Sequence, residues 1–164
     1  MHSIVIVNTS PLFYLHRLGC LNVLEKLYGE IIVPAAVLAE LEAGGRTGGD
    51  VPHVAEYTWM QMRRATIPAF IKMIPDLGQG EAEILALGCE ESEPLLIIDD
   101  ALARRIAKLQ AFKITGTGGV LLKAKQKGYI GELRPILEHL KEAGFYLSDK
   151  LIAETLKISG ESQK

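Results

Sequence analysis

The chain has 164 residues and almost none of the features that staple a small fold together. Cysteine is scarce: Cys20 and Cys89 stand far apart, without a CxxC pair or a Cys/His spacing of the zinc-binding kind. That argues against a disulfide framework and a zinc module, and the two thiols read as buried groups in a reducing cytosol. Long apolar runs are missing too. Ile4–Val7 is shorter than the roughly 7–15 residues of a signal-peptide core, and no run approaches the roughly 18 of a membrane span. The expected setting is cytoplasmic, with no membrane. An excess of one charge is also lacking: 18 Lys and Arg against 20 Asp and Glu leave a net −2. Bulk charge therefore does not advertise a polyanionic partner, although a local basic strip fits the same total.

Core-forming residues are plentiful, at 48%, and the length suits one domain of roughly 100–200 residues. No internal repeat, low-complexity stretch or domain boundary is visible, so 1–164 reads as a single domain. Ile4–Val7, β-branched throughout, reads as a strand covered on both faces. Asn8-Thr9-Ser10-Pro11 is a turn into a helix, Leu12–Leu18, followed by a second, Leu21–Leu27, each stopped by glycine. Glu30–Pro34 is the next strand and Ala35–Gly44 the next helix, with Gly44–Asp50 as a flexible loop. Residues 51–75 are ambiguous. Val54–Arg64 reads as a helix or as a segment ending in a strand near Trp59, and Ile67–Ile74 as a short helix. Then come a helix (Gly78–Glu91), a strand (Leu95–Asp99), a helix (Asp100–Ala111), a strand (Phe112–Thr115) and a helix (Gly116–Gly128). Helices Leu133–Ala143 and Ser148–Ile158 pack onto the domain, and residues 160–164 are expected to fray. Alternating strands and helices predict an α/β fold around a parallel sheet of four or five strands.

Parallel α/β sheets bind ligands beyond the carboxyl ends of their strands. The first strand releases Asn8, Thr9 and Ser10. The second is followed by a helix with Glu40 and Glu42, the third core strand releases Asp99 and Asp100, and the last releases Thr115, Gly116 and Thr117. Glu81 lies three and four residues before Ile84 and Leu85, which puts it on the inward stripe at a helix start, while Glu83 points elsewhere. Each acid alone has an ordinary explanation: Glu81 as a helix-dipole group, one aspartate as a cap beside a solvated neighbour, and Glu40 as an exposed helical glutamate. Together, acids at one sheet edge repel one another unless a hard divalent cation compensates them. Mg²⁺ and Mn²⁺ prefer such oxygen ligands, and sites of this type run metal-assisted phosphodiester hydrolysis.

The motif order IVIVNTSPL, EIIVPAAVLAEL, GQGEAEILAL, LLIIDDALARRIAK and KITGTGGVLL resembles the PIN domain family of nucleases, in its DUF3368-type, VapC-like branch, from about Ile4 to Lys127. The resemblance implies a three-layer α/β/α fold and a Mg²⁺- or Mn²⁺-dependent ribonuclease. It also implies frequent service as a toxin paired with an antitoxin protein, and a homodimer. Carried over, Glu40, Glu81 and Asp100 match the family's acids, with Asp99 filling or sharing the role of Asp100. Thr9, Ser10 and Thr117 match its hydroxyl positions. Asn8 stands where the family usually has aspartate, and offers a carbonyl oxygen without charge. The expected metal ligands are therefore Asn8, Glu40, Glu81, Asp99 and Asp100.

GTGG (Gly116–Gly119) reads either as a phosphate cradle at a helix N-terminus or as a tight turn with close packing. Arg104, Arg105 and Lys108 form a solvated helix face that phosphates could use, with Arg46, Arg63 and Arg64 as weaker candidates. His16 and His53 read as no one's ligands. Leu12, Leu15 and Leu24 serve either a dimer or antitoxin surface or the core. Three functions remain open on these residues: an RNA endonuclease, a PIN-type module that binds RNA or protein without cutting, and a small-nucleotide enzyme built on GTGG.

Overall fold

Four-residue apolar runs are too short to close a stable helix and suit buried strands. In the computed structural model, which describes residues 4–161, they become β1 (Ile4–Val7), β2 (Ile31–Pro34) and β4 (Pro94–Ile97). The edges are β3 (Met60–Arg63) and β5 (Lys113–Thr115). The helices are α1 (Thr9–Arg17), α2 (Val23–Tyr28), α3 (Ala35–Arg46), α4 (Ala69–Lys72), α5 (Gln79–Glu90), α6 (Ala101–Leu109), α7 (Thr117–Gln126), α8 (Leu133–Glu142) and α9 (Asp149–Ser159). All five strands are parallel, in the order β3-β2-β1-β4-β5. The chain winds outward from β1 to β3, then returns to lay β4 on the other side of β1.

Side chains alternate across each strand, so the sheet feeds two cores. Val5, Val7, Val33, Leu95 and Ile97 face the layer that holds α1, α2, α3, α7, α8 and α9. Ile6, Ile32, Leu96 and Ile98 face α4, α5 and α6. The result is the expected three-layer α/β/α arrangement. Leu12, Leu15 and Leu24 are completely buried in the first core and are not a dimer or antitoxin surface.

Three local expectations change. Helix α3 runs through Gly44 and Gly45 to Arg46, although glycine inside a helix costs about 1 kcal/mol relative to alanine. The reason is packing: a Cβ on Gly45 would lie 3.1 Å from Val51 Cγ2, so the bare backbone lets residues 49–51 close onto the helix. Cys89 is exposed, at the end of α5, and only Cys20 is buried. The end of the chain is not loose at Glu161. Its carboxylate accepts the backbone N–H groups of Leu133 and Arg134 at the start of α8, and Lys125 Nζ stands 3.3 Å away. An acid at a helix N-terminus meets unpaired N–H groups and the positive end of the dipole. Residues 162–164 of the tail lie outside the described residues.

Candidate functional site

The strand order reverses direction between β1 and β4, and the crevice above their carboxyl ends is where such sheets receive ligands. Asn8 leaves β1 there. It occupies the N-cap position of α1 in an extended conformation, a place where asparagine usually bonds the helix amides. Here its side chain makes no cap bond. Asn8 is only 3% exposed, and its Oδ1 has no hydrogen-bond partner. An orphaned buried acceptor costs roughly 1–3 kcal/mol, so it calls for an explanation.

Its neighbours are carboxylates. Glu40, on α3, accepts the hydroxyl of Thr9 and the backbone N–H of Gly80 (3.1 Å) in the first turn of α5. Gly80 is the hinge of this contact: a Cβ there would lie 2.8 Å from Glu40 Oε1 and 3.2 Å from Asn8 Oδ1. The two oxygens therefore border one small space that only glycine leaves open. Glu81 follows at once and folds back over the start of its own helix, so a Cβ on Gly78 would lie 2.6 Å from its Oε2. Burial pushes the Glu81 carboxyl above the ordinary carboxylate range, and the charges of Glu40 and Asp100 push it the same way. Hydrogen bonds from its own backbone and from the Asn8 side chain pull it back without cancelling the shift.

The two aspartates after β4 divide the labour. Asp100 is the N-cap of α6, its Oδ2 accepting the N–H of Ala103 at 2.9 Å. Asp99 turns the other way and is well partnered. It accepts Ser10 Oγ (2.8 Å), the Thr117 N–H (2.8 Å) and Thr117 Oγ1 (2.6 Å). Thr117 is fully buried. One carboxylate thus ties together the exits of β1, β4 and β5. The Asp99 carboxylate also occupies the first amide of α7, where the GTGG turn was one candidate cradle for a phosphate. Gly119 is packed so tightly that a Cβ would overlap Thr115 Oγ1. The turn-and-packing reading of GTGG is the one the geometry carries.

Arg104 reaches back to the carbonyl of Ile98 (2.9 Å) and borders Gly116, so its guanidinium fixes the β4 exit. Arg105 and Lys108 are exposed on the outer side of α6. Arg63 pairs with Glu91 at 3.1 Å, while Arg46 and Arg64 are exposed. His16 has a partner after all, Asp50 at 2.9 Å, which links α1 to the loop after α3.

Sequence reasoning missed Glu83. It does not point elsewhere: it is 9% exposed and accepts the N–H groups of Ala36 (2.7 Å) and Ala65 (3.3 Å). Its carboxylate clips the start of α3 and the segment after β3 to α5. A single-stripe reading failed because α5 is buried nearly all round, from Glu83 through Gly88. The signal in the sequence was the pair of acids in GEAE, only one of which can occupy a given face.

The donor set suits a hard cation: an uncharged oxygen in want of a partner, beside a carboxylate, Glu81, whose proton affinity is raised by burial and by the charges of Glu40 and Asp100. Among the described residues, no three His, Cys, Asp or Glu side chains stand close enough to form a finished cage.

A five-stranded parallel sheet in this order, between two layers of helices, is consistent with a PIN-like fold, a nuclease-type fold. The chain matches the DUF3368 family, described as a PIN domain, over residues 4–161, and it belongs to that family. No curated protein and no solved structure matches it. PIN domains are generally nucleases, hydrolases that act on nucleic acids and typically use divalent metal ions. No helix among the described residues is long and apolar enough to cross a membrane.

Proposed function

We propose that the protein is a metal-dependent endoribonuclease, of the kind that serves as the toxin of a toxin–antitoxin pair. The observation that carries this reading is the buried, unpartnered Oδ1 of Asn8 beside the carboxylate of Glu40. Asn8, Glu40, Glu81 and Asp100 would hold Mg²⁺ or Mn²⁺. Such an ion, when bound, activates water and screens charge on the leaving oxygen of a phosphodiester.

The protein's own groups set the stage. Thr9 and the Gly80 N–H hold Glu40 in place, so that little reorganisation is needed when charge builds up. We assign Asp99, with Ser10 and Thr117, to bracing the strand exits, because Ser10 Oγ and both the N–H and the hydroxyl of Thr117 donate to it. Arg105 and Lys108, exposed on α6, would offer cations to phosphates.

The test is cleavage of a labelled RNA with and without Mn²⁺. Glu40→Gln and Asp100→Asn are each expected to cut the rate at least tenfold, a loss of about 1.4 kcal/mol or more in transition-state stabilisation. Undiminished cleavage in both would remove this site from the mechanism.

One observation favours a second reading. Asn8 supplies no charge, and the acids do not converge into a finished cage. A PIN-type module that binds RNA or protein without cutting fits those facts. Metal-independent RNA binding with no turnover over long incubation would select it.

A further inference from the structure

Away from the acids lies a cavity of about 780 Å³. One wall is a single face of α3, with Leu38, Leu41 and Gly45 recurring at helical spacing. The facing wall carries Val51 and Val54, and the floor is β3, through Met60 and Met62. The glycines build it. A Cβ on Gly49 would lie 2.8 Å from the Gly44 carbonyl oxygen, so the chain can cross the end of α3 only without side chains there. The volume falls within the roughly 300–1,000 Å³ of pre-formed binding sites, which are mostly apolar.

The floor decides what kind of guest fits. β3 is the outermost strand and pairs only with β2. The Ile31 N–H donates to the Trp59 carbonyl at 2.9 Å. Alternation along the strand then turns the backbone of residues 59, 61 and 63 towards β2 and that of 60 and 62 outward, where the Met60 N–H donates to the Tyr57 carbonyl (3.2 Å) and the groups of Met62 face away from β2. Proteins usually guard such an edge with free charged side chains. Here both polar side chains of β3 are engaged elsewhere: Gln61 donates to Glu30 (2.6 Å) and Arg63 pairs with Glu91 (3.1 Å). Met62, which lines the cavity, is 45% exposed.

We propose that the free edge of β3 and this cavity form one docking site for an extended segment of another protein, with apolar side chains at alternate positions. The segment's main chain hydrogen-bonds to the outward N–H and carbonyl of Met62 and to the outward carbonyl of Met60. Every second side chain drops into the cavity, where the two methionines repack around it. A small apolar molecule would fill the volume but leave the strand edge unpaired. This site shares no residue with the acid cluster, and its test does not depend on RNA cleavage.

The protein carries a natural reporter. Trp59 is its single tryptophan, and its ring packs edge-on against Tyr57 of the cavity wall with centroids 5.5 Å apart. A peptide of about eight residues with leucine and valine alternating with lysine and threonine is titrated against Trp59 fluorescence and backbone amide exchange. A scrambled peptide of the same composition is the control. The expected result is saturable binding of the alternating peptide, at least about tenfold tighter than the scrambled one, with slowed exchange at the Met62 amide. Met62→Lys, which puts a charge on the floor, and Met62→Pro, which deletes an outward N–H, are each expected to weaken binding at least about tenfold. The exchange measurement on the unmodified protein decides the matter if either variant unfolds. No saturation at millimolar peptide, equal binding of both peptides, binding without slowed exchange in β3, or saturation by anilinonaphthalene sulfonate but by neither peptide would overturn the proposal.

Discussion

Two corners of the same sheet edge treat their acids in opposite ways. At one, Asp99 is satisfied by three donors from its own chain and ties together three strand exits. At the other, Asn8 keeps an orphaned oxygen, and Glu81 is pushed towards protonation by burial and by Glu40 and Asp100. A carboxylate whose every need is met inside the chain holds the fold together. One that is buried among like charges lowers stability unless a cation compensates it.

Removing the satisfied acid should do the most damage to the fold. Asp99→Ala strips Thr117 and Ser10 of their acceptor, and a loss of about 2–4 kcal/mol is expected in denaturant unfolding. A loss below about 0.5 kcal/mol would mean that the two corners do not differ as described. At the unsatisfied corner, Asn8→Asp adds a charge to a cluster that already repels itself. Without metal it should lower the melting temperature. With Mn²⁺ it should tighten binding about tenfold, as read by calorimetry. An unchanged Mn²⁺ titration would remove Asn8 from the ligand set.

Glu81→Gln is expected to act in the opposite sense on the metal-free protein. The folded-state pKa of Glu81 is raised, so its contribution to stability is present below the ordinary carboxylate range and is lost as pH rises through that raised value. Glutamine abolishes that decline. At pH 7 the variant should melt slightly higher than the parent, by about 0.5 kcal/mol or less, and the two should converge in acid. A lower melting temperature at pH 7 would show that Glu81 is not strained.

The smallest effect concerns a second satisfied acid, Glu161. Burial alone would raise its pKa, but the N–H groups of Leu133 and Arg134 and the ammonium of Lys125 outweigh burial and lower it. Its support is therefore present at neutral pH and lost as pH falls through the lowered value. Glu161→Gln should destabilise modestly at pH 7 and not at all at low pH. Thermal melts across that range, with proteolysis of the α9 end as a second readout, would check it.

Four of the five strands were readable because a buried parallel sheet demands continuous apolar runs, as Ile4–Val7 and Leu95–Ile97 supply; β3, where Gln61 and Arg63 interrupt the apolar pattern, reads equally well as helix. Helix ends were readable where a residue type has a local reason to stop or start a helix: Asp100 and Ser148 both accept an N–H three residues on. Which oxygen-bearing residues stand at the strand exits was legible, but their arrangement was not. Nothing local distinguishes Asp99 from Asp100, yet one is well partnered by residues from β1 and β5 exits while the other caps its own helix. Glu83 was misplaced for the same reason: its partners, Ala36 and Ala65, are remote in the chain. Gly44 and Gly45 read as a helix stop because glycine ordinarily is one, and only the closeness of Val51 explains why the helix continues.

Local chemistry, then, determined the alternation of strands and helices, the burial of the central sheet and the gathering of oxygen-bearing residues at strand ends, because propensity, periodicity and capping act over a few residues. The tertiary structure alone decided which acids are satisfied and which are left wanting, which helix has no solvent face and where a free strand edge borders an empty volume. Those properties depend on distances between residues far apart in the chain, and hydrogen bonds and charge repulsion change steeply over a few ångströms.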